Sequence, residues 1–94
     1  MTDLTHNPQI PKGWYTITFV YGMTRENYPL PRYYTHLQPL KTSILKRLCN
    51  IRASNQGEKD RARFKQAIKE TNTLVDLHTL SQGCWKLYLD HRPR

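Results

Sequence analysis

Long hydrophobic runs are absent from this sequence. No stretch of about 18 or more consecutive apolar residues occurs, and the first residues include Asp3 and no apolar segment of the kind that a secretory signal needs. We therefore expect neither a membrane span nor an export signal. The protein is expected to stay in the cytoplasm of the cell that makes it.

Cysteine is also scarce, since only Cys49 and Cys84 occur and they are far apart in the chain. A reducing compartment keeps such residues as thiols, and we expect both to be free, buried and inert. The cysteines and the four histidines show none of the paired ligand spacing of zinc modules. The chain also offers no paired carboxylates and no glycine-rich phosphate loop. We therefore predict no metal, no cofactor and no enzymatic activity.

Acidic residues are few, with seven Asp and Glu against fifteen Lys and Arg, and the formal net charge is +8. Many of the cations lie on two predicted helices, where Arg61, Lys65 and Lys69 recur at every fourth residue. Like charges at this spacing oppose an isolated helix. The pattern therefore favours a surface that binds a polyanion or an acidic partner, with a solvated flank whose long side chains cover apolar surface as the equal alternative. The candidate binding residues are Lys46, Arg47, Arg52, Lys59, Arg61, Arg63, Lys65 and Lys69.

Residues 12–21, KGWYTITFVY, partly match the strand signature of sheet-borne RNA readers, in which alternate rings stack on bases. Trp14 stands at one stacking position, but Thr16 stands where the second ring belongs. Only eleven residues precede Lys12, whereas that fold places the strand third. We interpret the segment as an ordinary strand whose alternation buries every second residue from Tyr15 onward.

Periodicity predicts the other elements. Proline at positions 29 and 31 confines any second strand to a sheet edge or to residues beyond Pro31. An apolar stripe at three- and four-residue spacing predicts a helix that begins at Pro39, and Asn55 with Glu58 predicts the capped start of a second helix that fades near Asp76. Residues 84–90, CWKLYLD, alternate as a closing strand.

These elements predict an α+β fold. We expect a small two- or three-stranded, mainly antiparallel sheet with two helices packed on one face, in the order β-β-α-α-β. Residues 1–94 form a single small domain in this interpretation, and residues 1–11, which hold two prolines, form an irregular lead-in.

The segment YPLPRYY, residues 28–34, combines prolines, rings and a cation. If the protein has a protein interface, Arg32, Tyr33 and Tyr34 are its expected contact loop, because exposed tyrosines beside cations anchor partners. The alternative is ordinary sheet packing with scattered surface tyrosines.

ITFVYGMT at residues 17–24, the ring of Tyr28, Pro31 and PLK at residues 39–41 together resemble a family of very small proteins of lambdoid temperate phages. Its members are products of early genes between the excision and recombination genes, and the family has no assigned activity. The resemblance covers roughly residues 10 to 52. It implies a non-enzymatic accessory factor, made early in infection, that modulates host functions or the choice between lysis and lysogeny. It carries over no functional residue.

Two functions follow as expectations. In the first, the protein acts in the bacterial cytoplasm by binding an acidic host protein through its basic helices. In the second, the same cations bind the phosphates of nucleic acid. A toxin-like ribonuclease is a third alternative, and association into a homodimer is left open.

Overall fold

The computed structural model describes residues 8–51 and 55–92, and for Asn55 and Gln56 it describes the backbone only. The described chain is an α+β fold, which confirms the predicted class. No helix in the described part is long and apolar enough to cross a membrane. The elements are, in order, β1 (Gln9–Tyr21), β2 (Thr24–His36), α1 (Leu37–Leu48), α2 (Asn55–Glu70), α3 (Leu74–Leu77), β3 (Ser81–Gln82) and β4 (Trp85–Arg92).

The four strands form one sheet in the order β2-β1-β4-β3, with every neighbouring pair antiparallel. The sequence predicted two or three strands, because the two residues of β3 are too few to show an alternation. β2 lies at an edge, as its prolines require. Trp14 of β1 lies opposite Tyr33 of β2, and Thr16 lies opposite Pro29. Between these two pairs, β1 has one residue and β2 has three, so residues 30–32 form a bulge in β2.

Two tight turns lie side by side at one end of the sheet. Gly22 opens the turn between β1 and β2 at φ 61°, and Gly83 opens the turn between β3 and β4 at φ 63°. Glycine at the first position of a two-residue hairpin loop is typical of a type II′ turn, where the positive φ is strained for other residues. The Gly22 amide donates to the carbonyl of Cys84 at 3.2 Å, which ties the two turns together.

The core lies between one face of the sheet and the helices. The predicted alternation of β1 is confirmed, since Tyr15, Ile17 and Phe19 are at most 2% exposed. Trp85 of β4 is fully buried, and its ring lies 5.8 Å from that of Phe64 on α2. Its indole Nε1 donates to the Gly57 carbonyl at 2.9 Å, so the start of α2 is fixed to β4. Other fully buried residues of the helices are Leu37, Leu40, Ile44, Leu48, Ile68 and Leu77.

Several boundaries differ from the predicted ones. β1 begins at Gln9, so residues 9–11 belong to the sheet rather than to a lead-in, and residues 1–7 lie outside the described part. α1 begins at Leu37, two residues before Pro39. Because β2 ends at His36, the chain passes from β2 into α1 without a loop. The first amide of α1 donates to the Pro8 carbonyl at 2.9 Å.

The second helix begins at Asn55, where the sequence placed its cap, but it ends at Glu70 instead of near Asp76. Thr71 follows, and its hydroxyl donates back to the Ile68 carbonyl at 2.7 Å, which competes with helix continuation. Thr73 then caps the separate helix α3 by accepting from the Asp76 amide at 3.1 Å.

Both cysteines are free and exposed, so the prediction that they are buried is wrong. Cys49 caps the C-terminal end of α1, and Cys84 lies in the turn before β4. Each therefore lies at the end of an element rather than on its apolar face.

Two cations hold α1 and α2 together through backbone carbonyls. Lys41 of α1 is only 4% exposed, and its Nζ donates to the carbonyls of Lys69 at 2.8 Å and Thr71 at 2.6 Å. Arg61 of α2 donates to the carbonyl of Leu48 at 2.9 Å and to that of Ile51. Each helix thus supplies a cation to the partly negative carbonyls at the other's C-terminal end. The two helices therefore run antiparallel. We call this arrangement the reciprocal caps.

Replacing Lys41 by methionine is expected to lower the free energy of unfolding by about 1–3 kcal/mol, because two buried carbonyls lose their donor. Urea denaturation measures the change. The control Lys46→Met, on the exposed side of the same helix, should stay within about 0.5 kcal/mol of the natural protein. Equal urea midpoints for the two variants would contradict a capping role for Lys41.

Candidate anion-binding site

The predicted cations of α2 do not share one face. Lys59 and Arg63 lie one turn apart and are exposed, and Lys65 and Lys69 form a second pair at this spacing, in which Lys69 is exposed and Lys65 is half-buried. With 3.6 residues per turn, the centres of the two pairs lie about 120° apart around the helix axis, so the pairs occupy different sides of the helix. Arg52, which the sequence placed in the same surface, lies outside the described residues.

Arg61 is not available to a partner, contrary to the sequence interpretation. Its side chain is only 11% exposed, and it bonds to two carbonyls of the preceding segment and to the Glu58 carboxylate. The four-residue spacing with Lys65 and Lys69 therefore does not mark one binding surface. The sequence could not reveal this, because two of the three acceptors are backbone atoms.

Three of the other predicted residues, all of them cations, meet in a cleft of about 420 Å³ between β2 and α1, which we call the basic cleft. Arg32 contributes from β2, and Lys46 and Arg47 contribute from α1. None of the described residues that line it is Asp or Glu. Two sets of residues that the sequence treated separately, the basic helix and the segment 28–34, are thus brought together. The other lining residues are Leu30, Pro31, Pro39, Thr42, Ser43 and Asn50.

The basic cleft exists because α1 follows β2 directly and folds back along it. Tyr34 fixes this reversal, since its hydroxyl donates to Ser43 Oγ at 2.6 Å and its ring is 1% exposed. Tyr34 is therefore a packing residue and not a surface contact, and the predicted contact loop is part of a strand. Tyr33 points the other way and is 51% exposed, as strand alternation requires.

Arg47 is held in place by an aromatic ring. Its Cζ lies 4.7 Å from the centre of the Tyr28 ring, a cation–π contact. The hydroxyls of Tyr28 and Tyr21 both donate to the carboxylate of Glu26, the latter at 2.5 Å. This Tyr21–Glu26–Tyr28 cluster therefore fixes the ring under Arg47. The sequence did not reveal it, and the signal that could have found it is the spacing of Glu26 and Tyr28 on one face of β2, across the hairpin from Tyr21 at the end of β1.

The cluster shifts the pKa values of its members. Burial, followed by the hydrogen bond to Glu26, raises the pKa of Tyr21 from 10.0 to about 12. The hydrogen bond to Glu26 is the main cause that raises the pKa of Tyr28. The two tyrosine hydroxyls in turn lower the pKa of Glu26 below 4.5. At neutral pH the cluster therefore consists of two neutral tyrosine hydroxyls that both donate to the ionised carboxylate of Glu26.

The chemistry of the basic cleft is that of anion binding. Arg32 offers a planar fork and Lys46 a compact ammonium, and both are exposed. Ser43 accepts its bond from Tyr34, so its own hydroxyl hydrogen can be donated to a ligand. A volume of this size admits a phosphate group or an acidic side chain. No group of three or more possible metal ligands is found among the described residues.

The cluster predicts a specific pH dependence. A tyrosine whose pKa is raised on folding stabilises the fold fully below pH 10 and loses that contribution as the pH rises toward about 12. A carboxylate whose pKa is lowered stabilises above pH 4.5 and loses its contribution on acidification. The difference in urea midpoint between the natural protein and Glu26→Gln should therefore be largest between pH 5 and 10 and shrink at both ends.

The control for this titration is Glu70→Gln, which removes an exposed carboxylate from α2. Its stability should follow the natural protein in parallel across the whole pH range. A Glu26→Gln variant that behaves in the same parallel way would show that the cluster does not couple protonation to folding.

Comparison with known proteins adds no relative, since no family model matches the chain and no match was found among curated proteins or among solved structures. The resemblance to small phage proteins therefore stays a prediction. Function must be argued from the geometry of this chain.

Proposed function

We propose that this protein is a non-enzymatic binding module that holds an acidic group of a partner in the basic cleft, and that the partner is nucleic acid. The observation that carries the proposal is the lining of the basic cleft. Three cations from two elements converge on it, and none of its described lining residues is acidic. Such a site favours an anion over a neutral or positive group.

The distribution of the other cations supports nucleic acid as the partner. Lys59, Arg63 and Lys69 are exposed on different sides of α2, and Arg25, Lys86 and Arg92 add exposed cations on the sheet. A phosphate backbone presents charge at regular intervals over a wide surface, and its binding gains from counterion release at every contact. It therefore needs no single basic face. The chain's net charge of +8 also favours association with such a polymer.

An acidic host protein is the second candidate, and a specific observation favours it. Leu30, Pro31 and Pro39 line the same cleft as the cations. Apolar residues beside charges suit a peptide that carries both acidic and apolar side chains. The phage resemblance implies a host target of this kind, with an effect on host functions or on the choice between lysis and lysogeny.

A charge-matched pair of variants tests the proposal. The natural protein should bind a DNA oligonucleotide of random sequence with an affinity that falls steeply between about 50 and 200 mM salt. The cleft variant, Arg32→Gln with Lys46→Gln, should bind more weakly and reduce the slope of log affinity against log salt by about 1–2. Fluorescence anisotropy of the labelled oligonucleotide measures both.

The matched control is Lys59→Gln with Arg63→Gln, which also removes one Lys and one Arg but from the far side of α2. It should lose clearly less affinity than the cleft variant at the same salt. Equal losses would mean diffuse binding and remove the basic cleft as the site. Absence of binding at low salt would remove nucleic acid and favour the acidic protein.

A further inference from the structure

The outer face of the sheet, opposite the core, carries two exposed rings. It is formed on β1 by Trp14, Thr16, Thr18 and Val20, which alternate with the buried residues. Trp14 is 40% exposed, and its cross-strand neighbour Tyr33 is 51% exposed. The two rings contact each other edge-on, with centroids 6.0 Å apart. No described helix covers this face, because the helices pack on the other one.

Cations lie at both ends of the outer face. Arg92 of β4 lies opposite Trp14 on one side, and Arg25 of β2 and Lys86 of β4 flank Val20 further along. All three are exposed. Among the described residues of this face the acid is Asp90, whose carboxylate lies 4.0 Å from Arg92 with both side chains about 70% exposed. An exposed pair at that distance is weak and leaves Arg92 able to take another anion.

Tyr33 also supplies what the sequence signature lacked. In sheet-borne RNA readers, rings on neighbouring strands stack on successive bases. Thr16 leaves the second ring position of β1 without an aromatic, yet Tyr33 of β2 lies directly across from Trp14. The fold differs from the RNA-recognition fold, since this strand is the first described strand and not the third. Trp14 and Tyr33 nevertheless offer bases two aromatic rings on neighbouring strands, as the rings of sheet-borne RNA readers do.

We propose that the outer face binds single-stranded nucleic acid, with bases stacked on Trp14 and Tyr33 and phosphates held by Arg25, Lys86 and Arg92. This inference rests on the proposed function and adds to it a preference for single-stranded over double-stranded nucleic acid. Exposed aromatic rings can stack on unpaired bases, and the cations on the same face can bind the phosphates of the backbone. A duplex hides its base faces in its own stack and cannot use the rings. Among the described residues of the outer face, Val20, Pro29 and threonine methyl groups supply the aliphatic surface, and this small area favours bases over an apolar protein partner.

The outer face continues into the basic cleft around the edge of the sheet. Tyr33 points to the outer face, and the adjacent Arg32 lines the cleft. A strand with its bases on the two rings can therefore place a neighbouring phosphate at Arg32. Tyr88 lies opposite Thr18, about 13 Å along the strand from Trp14, and offers a third, half-buried ring.

The natural protein contains its own reporter for this proposal. Of the two tryptophans, Trp14 is exposed and Trp85 is fully buried. Addition of oligothymidylate at low salt should therefore quench the fluorescence of Trp14 as the bases stack on it. The duplex of the same strand with oligoadenylate should bind more weakly and leave the fluorescence nearly unchanged.

Variants separate stacking from charge. Trp14→Thr and Tyr33→Thr should each weaken oligothymidylate binding by about tenfold or more, while the salt slope stays the same because no phosphate contact is lost. Val20→Thr, on the same face and without a ring, should bind like the natural protein. Circular dichroism verifies that each variant is folded.

Each outcome decides between the two proposals. Salt-dependent binding that Trp14→Thr and Tyr33→Thr leave intact overturns the stacking surface and retains the proposed function. Equal affinity for duplex and single strand, with Trp14 fluorescence unchanged, does the same. Failure to bind any oligonucleotide at low salt overturns both. Quenching of Trp14 by polyglutamate as strong as that by oligothymidylate would show a general anion surface and overturn base stacking.

Discussion

The reciprocal caps are the interaction on which the arrangement of this small protein depends. A buried ammonium such as that of Lys41 is costly unless it is bonded, and the carbonyls at a helix C-terminus are equally in need of donors. Lys41 and Arg61 satisfy both needs, once in each direction between α1 and α2. Desolvation lowers the pKa of Lys41, which reflects the cost of burying it. Because α1 also forms one wall of the basic cleft, the same bonds hold that wall against α2, while the Tyr34–Ser43 bond holds it against β2.

The reciprocal caps also reduce the number of cations that are available to a partner at the surface. The composition counts fifteen cations, but two of the most central ones, Lys41 and Arg61, serve the backbone. Arg47 is held over the Tyr28 ring. The cations that remain exposed lie on different sides of α2, at the edge strand and on the outer face of the sheet. A strongly basic composition therefore produces several separate positive regions, and the basic cleft is one of them.

The sequence predicted the elements that have a clear period. Periodicity predicted β1, β4 and the apolar stripe of α1, because the apolar residues of the strands alternate and those of the helix recur at each turn. β3 and α3 are too short for any period, and the end of α2 depends on the Thr71 hydroxyl. The cations of the candidate site were identified, but their convergence depends on the direct passage of β2 into α1. Tyr34 has the same parity along β2 as the buried Leu30, whereas the bulge at residues 30–32 has no corresponding pattern in the sequence.

The pairing of β1 with β4 has a consequence for how the chain folds. β1 forms a local hairpin with β2, but its other edge must wait for the last described strand, so nearly all of the chain lies between the two partners. Contacts of such long sequence separation are slow to form, since the entropy of the closing loop must be overcome first. During synthesis the second edge of β1 therefore stays unpaired until β4 has left the ribosome.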